Sequence, residues 1–169
     1  MTEVAGAVGD GLHAHSFTTP KYLTEVSVPA LRRGAEDAGR DPAALGVALP
    51  ALVAVGDDQA ALDAAILATK GQIAFYGSTP TYLPVLEAHG WGALHEQLHA
   101  ASRRGDWAAM PGLVPDDVLD VFAAVGSASV VAAELRSRFA GTVTRLSFSA
   151  GYPIAEDTLT RLVRGLREP

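Results

Sequence analysis

The chain carries five histidines and no cysteine, so imidazoles, carboxylates and hydroxyls are the groups open to chemistry. His95, Glu96 and His99 stand in the string His-Glu-Gln-Leu-His, which satisfies H-E-x-x-H. On a helix that spacing puts both imidazoles on one face, where they could hold zinc while Glu96 acts as general base. No histidine follows His99, so the third ligand would have to be a carboxylate such as Glu134. The competing reading is a surface helix with solvated polar side chains; it is preferred here, and no metal ligand is assigned.

His13 and His15 are two apart on a strand-like segment and so share a face. At a strand end one of them could hydrogen-bond a bound small molecule, or the pair could be structural. Ser16, Thr18 and Thr19 follow, ahead of Pro20. The helix N-terminus there could hold a phosphate, against plain capping by Thr19. Tyr76 and Ser78 flank Gly77. Tyr76 could lie against a planar ligand, or be a core aromatic beside Phe75 ahead of a capped turn. Gly126-Ser127 before a helix suggests a phosphate turn, but one glycine is a weak signal. No serine sits in G-x-S-x-G, so a serine hydrolase is unsupported. The pairs Asp57-Asp58 and Asp116-Asp117 read as helix starts, where negative charge favours the dipole.

The 169 residues suffice for one domain with its own core, and a hydrophobic content of 49% makes it globular. The net charge is -6 and the 13 Lys and Arg are scattered, which argues against nucleic acid as a partner. No apolar run is long enough for a bilayer, and the start Met-Thr-Glu-Val lacks the marks of a signal peptide. Without cysteine, a reducing cytoplasm is the expected setting.

Three segments read as strands. Residues 11–17 alternate in part. Residues 46–55 are apolar almost throughout, as in a strand covered on both faces, although Pro50 there demands an edge or a bulge. Residues 142–149 alternate β-branched and polar types. A helix from Thr19-Pro20 to about Ala38 should end at Gly39, and Pro29 should kink or break it. Asp57 or Asp58 caps a helix with the stripe Leu62, Ile66, Thr69 and Ile73. Ser78-Thr79-Pro80 opens another helix, and further ones cover about 93–103, 127–139 and 156–166, with short ones starting near Asp106 and Pro115. Strands alternating with helices imply parallel pairing. Three strands leave open edges, and a closed eight-fold barrel needs about 250 residues. The chain therefore reads as part of something larger.

The string GDGLHAHSFTTPKYL at 9–23 resembles a late barrel strand and its loop in the bacterial luciferase-like monooxygenase family. The stretches QIAFYGSTPTY at 72–82 and VLEAHGWG at 85–92 are similar to that family's helical insertion before the last strand, and DDVLDVFAAVGS at 116–127 to the segment before its penultimate helix. The resemblance is strongest to the branch that uses the deazaflavin coenzyme F-420. It implies an α/β fold, namely part of a TIM (β/α)8 barrel: late parallel strands with flanking helices and a helical insertion at about 71–125. It also implies a single domain over 1–169, corresponding to the C-terminal half of the family's chains. The implied function is an oxidoreductase module that transfers hydride with coenzyme F-420, or alternatively FMN, on a small-molecule substrate. His13, His15, Ser16 and Thr18 would then contact the coenzyme, and Tyr76 and Ser78 the substrate pocket. The resemblance further implies a homo-oligomer or a missing N-terminal half-barrel, so the chain is incomplete on its own. A non-catalytic half-barrel that assembles with a partner is the alternative, followed by the zinc hydrolase.

Overall fold

The computed structural model describes residues 1–167. Its frame is a sheet of four strands among the described residues: β1 (Gly11–His13), β2 (Gly46–Val55), β3 (Ala123–Gly126) and β4 (Arg145–Ser149). All pairings are parallel, and every one of them is with β2. Ala48 pairs with both His13 and Arg145, and Leu52 with both Ala123 and Ser149. A residue reaches two strands only across its two opposite edges. β4 therefore runs along one edge of β2, while β1 and β3 share the other.

This arrangement settles Pro50. The sequence demanded an edge or a bulge, yet Pro50 lies in mid-strand, paired with Ser147 of β4. On the opposite edge, Gly46 N donates to Asp10 O (3.1 Å) and Ala14 N to Ala48 O (2.8 Å). The next donor along that edge would be the nitrogen of residue 50, and proline has no N–H. Pro50 thus falls in the gap where β1 has ended and β3 has not begun. The same absence explains why β1 stops at His13 rather than running to residue 17. β3 had no counterpart in the expected strands: Ala-Ala-Val-Gly is too short to show a period, and its pairing with the end of β2 defines it.

The helices are α1 (Thr2–Val8), α2 (Pro20–Tyr22), α3 (Val28–Asp37), α4 (Gln59–Gly77), α5 (Leu83–Glu87), α6 (Gly92–Arg104), α7 (Asp116–Phe122), α8 (Ala128–Phe139) and α9 (Glu156–Arg167). Pro29 does not break the helix that Thr19 opens. One π turn (Leu23–Ser27) joins α2 to α3, with Val28 N bonded to Leu23 O. The wider turn absorbs the hydrogen bond that Pro29 cannot make. Gly39 ends the helix at φ 69°, with Arg40 N bonded to Ala35 O (2.8 Å). Asp58 caps α4 through Ala61 N (2.8 Å), whereas Asp57 accepts hydrogen bonds from Thr158 and Arg161 of α9. Those two bonds hold the Asp57 carboxyl below its ordinary pKa. Asp116 pairs with Lys70 (2.6 Å) rather than capping its own helix.

Two apolar cores lie on the two faces of β2. Val47, Leu49, Ala51, Val53 and Val55 pack with Leu31 of α3, Val131, Leu135 and Phe139 of α8, and Leu162 of α9. Leu52 faces the other way, into Ile73 of α4, Leu86, Leu98, Val118 and Phe122. The helices between β2 and β3 thus roof the C-terminal part of that second face. Its N-terminal part stays open: His13 and Arg145, the two partners of Ala48, are exposed, as is Ser147 beside Pro50. A parallel sheet is normally covered on both faces. Among the described residues, no strand pairs with the outer edges of β1 and β4.

Candidate functional site

The loop 14–19 leaves the sheet where β1 ends and carries most of the candidate side chains. His15 is fixed by Phe17, whose backbone N–H donates to His15 Nδ1 (3.0 Å). Its Nε2 lies 3.2 Å from Tyr82 Oη. The Tyr76 ring meets His15 edge-on, at 4.7 Å and 88°, and the Tyr82 ring lies at 4.9 Å. Burial holds the His15 pKa below its ordinary value. An imidazole that takes a hydrogen bond on Nδ1 is held in its neutral form, which works in the same direction.

Phe17 is fully buried and stacks on Phe122 at 4.5 Å, which ties the loop to α7. Thr19 caps the helix through Tyr22 N (3.1 Å) and also meets His89 Nε2 (2.8 Å). His89 in turn stacks on Trp91 at 4.4 Å. Burial, then the charge of Lys21, keep His89 below its ordinary pKa. Capping therefore accounts for Thr19, whose hydroxyl is already engaged.

A cleft of about 190 Å³ opens at the outer edge of β1, walled by His13, His15, Phe17, Thr18, Tyr22 and Tyr82 among others. Whole ligand sites run to about 300–1,000 Å³, so this cleft is smaller than a complete one. Thr18 is 8% exposed, and its Oγ1 has no hydrogen-bond partner among the described residues. His13, His15 and Thr18 are thus brought together. Ser16 is buried behind them and outside the cleft wall, its carbonyl accepting from Thr18 N (3.0 Å). Tyr76 joins the group through its ring contact with His15. The Ser78 hydroxyl turns away and donates to Phe75 O (2.8 Å). Tyr82 was not singled out from the sequence. Its signal is the Ser-Thr-Pro turn, whose 3-10 segment Pro80–Tyr82 sets the ring against His15.

The histidines of H-E-x-x-H both reach back to the end of α4 through Nδ1. His95 Nδ1 donates to Gly77 O (2.7 Å) and His99 Nδ1 to Ser78 O (2.9 Å). These carbonyls belong to the C-terminal turn of α4, which leaves such oxygens without helical partners. The two imidazoles therefore cap α4. Glu134 is paired with Arg138 on α8. No group of three or more His, Asp or Glu among the described residues is placed to hold a metal ion. Ser127 precedes α8 without a side-chain capping bond, its Oγ 3.2 Å from Ser129 Oγ. No helix among the described residues is long and apolar enough to cross a membrane.

Parallel strands with flanking helices, and loops gathered at the strands' C-terminal ends, define an α/β protein of the TIM-barrel class. Comparison with known proteins gives the family. Residues 1–145 match the model of the luciferase-like monooxygenases, and the chain belongs to that family. An uncharacterised protein of Mycobacterium tuberculosis is 52% identical over 146 residues, covering 86% of this chain and 43% of its own length. The 5,10-methylenetetrahydromethanopterin reductase of Methanopyrus kandleri is 32% identical over 160 residues, covering 93% of this chain and 43% of that protein. Among solved structures, the coenzyme F-420-dependent tetrahydromethanopterin reductase of the same organism superposes with a TM-score of 0.71 at 29% identity, over 98% of this chain and 46% of that one. An F-420-dependent secondary alcohol dehydrogenase shares the fold, with a TM-score of 0.66 at 18% identity over 99% of this chain and 46% of that one. The chain thus spans less than half the length of these relatives.

Proposed function

We propose that this chain is an oxidoreductase module contributing the late strands and the mouth insertion of a luciferase-like barrel that works with the deazaflavin coenzyme F-420. The relatives named for that coenzyme support the choice over FMN. The observation that carries the reading is the cleft at β1, where His13, His15 and Tyr82 stand around a buried Thr18 hydroxyl that has no hydrogen-bond partner among the described residues. A buried hydroxyl without a partner costs about 1–3 kcal/mol, and such groups are kept where a ligand supplies the missing bond. In this proposal His13, His15, Ser16 and Thr18 form the coenzyme wall, and Tyr76 and Ser78 border the substrate side. When bound, the coenzyme supplies the hydride chemistry. The chain's own residues bind and orient it: His15 offers a neutral imidazole, held by the Phe17 N–H and by the edge-on Tyr76 ring.

The size of the cleft and the open face of the sheet argue that this wall is completed by further strands. We propose that these come from an N-terminal half-barrel or from a second copy of the chain. A titration of the purified protein with oxidised coenzyme F-420 and with FMN, followed by absorbance and fluorescence, tests the coenzyme. Saturable binding of the deazaflavin, tighter than FMN, is expected once the missing strands are supplied in trans or in a longer chain. Failure of that completed barrel to bind either one sinks the reading. Light scattering on the chain alone separates the partner question, with a species larger than one chain as the expected result.

A further inference from the structure

The hydrogen bonds around His15 fix its tautomer. Phe17 N–H can only donate, so His15 Nδ1 carries the lone pair, and the proton of the neutral ring sits on Nε2. That proton points at Tyr82 Oη, 3.2 Å away. Tyr82 is therefore the acceptor in this pair, and its own phenolic proton is left over. Among the described residues no second hydrogen-bond partner takes it. Tyr82 is half-buried and lines the same cleft as Thr18 and His13. Its ring is held at 5.6 Å from Tyr76 and 5.5 Å from Phe17. The turn that carries it follows directly on Gly77 and Ser78, the two residues whose carbonyls are gripped by His95 and His99. Every element that sets the position of this hydroxyl is thus anchored, and His15 does not take the hydroxyl's proton.

We propose that Tyr82 binds the ligand of the cleft by donating its phenolic proton to a carbonyl oxygen, with His15 as the residue that positions the phenol. A phenol that already accepts a hydrogen bond is a better donor than a free one, because bonds in a chain polarise one another. The inference rests on the cleft being a ligand site, as proposed above. It adds a residue and a ligand chemistry that the coenzyme reading alone does not require.

The test uses the intact chain labelled for NMR, with N,N-dimethylformamide as a probe whose carbonyl oxygen can accept a hydrogen bond and which has no N–H or O–H to donate. Nitrogen shifts of His15 should show the Nε2–H tautomer, and Tyr82→Phe should move its Nε2 signal while leaving the amide spectrum of the fold intact. The probe should shift the Tyr82 ring resonances in wild type and in His15→Gln, whose side-chain N–H can replace Nε2–H. In His15→Ala the response should weaken. With oxidised coenzyme F-420 on the completed barrel, Tyr82→Phe should weaken binding about three- to tenfold, the effect of one hydrogen bond. An Nδ1–H tautomer, or a probe that leaves Tyr82 unmoved, overturns the proposal. If His15→Ala responds like wild type, the positioning role of His15 is wrong. If the probe acts on Tyr82 and the coenzyme does not bind, the coenzyme reading fails and the Tyr82 assignment stands.

Discussion

Replacing His95 separates a helix cap from a metal ligand by magnitude. His95 is 8% exposed and its Nδ1–H is 2.7 Å from Gly77 O. His95→Leu keeps apolar volume but leaves that carbonyl unpaired in a buried place, a loss of about 1–3 kcal/mol. His95→Asn puts an amide N–H close to where Nδ1–H stood, so most of the loss should return. For a domain of this size each kcal/mol is about 2–4 °C in Tm. The leucine variant should therefore melt about 2–12 °C below wild type, with the asparagine variant between them. A zinc site gives a different pattern. Both variants would lose it equally, and zinc at a hundred times its Kd would stabilise wild type by about 2.7 kcal/mol. Thermal melts followed by circular dichroism, with added zinc and with chelator, read both effects. Equal losses for leucine and asparagine, together with a zinc-dependent rise in wild type alone, would refute the capping argument.

Further perturbations probe the frame that holds the site. Tyr152 Oη accepts from Val55 N (2.7 Å) and donates to Val53 O (3.3 Å), so Tyr152→Phe orphans a buried N–H at the end of β2 and should cost about 1–3 kcal/mol by urea melts. Burial raises the Tyr152 pKa. The folded state therefore favours the protonated phenol, and this contribution is full below the ordinary tyrosine pKa and fades as pH rises through the folded value. Wild type should lose stability more steeply than Tyr152→Phe above about pH 10. Gly34→Ala would place a Cβ 1.9 Å from Glu3 O, where α1 meets α3; a Tm drop of several degrees is expected, and an unchanged melt would contradict that contact. Thr19→Ala removes the cap on Tyr22 N and the His89 contact, and a loss of about 1 kcal/mol by chemical denaturation is expected.

Much of the frame was legible in the sequence because its signals are local. The apolar run of β2, the caps at Thr19 and Asp58, the stop at Gly39 and the α8 stripe of Val131, Leu135 and Phe139 all lie where pattern and chemistry put them. What the sequence did not show depends on contacts far along the chain. The end of β1 is set by a proline 37 positions beyond its last residue, and β3 exists only as a partner of β2. His13, His15 and Tyr76 were picked out for their types, but Tyr82 reaches His15 across 67 residues, a relation that no spacing rule encodes. H-E-x-x-H was legible as a motif, but the capping bonds its histidines make were not. The carbonyls it serves belong to another helix.

The early release of β1 shapes how anything reaches His15. β1 lets go opposite Ala48, while β2 climbs seven residues further to Val55, roughly 23 Å at about 3.3 Å per residue. The histidine loop therefore departs low on the wall, and the hollow beside it is an alcove in the flank rather than a basin at the crest. Whatever backbone lies along the outer side of β1 becomes the jamb of that doorway. Its distance from His13 fixes the width of the passage to Tyr82.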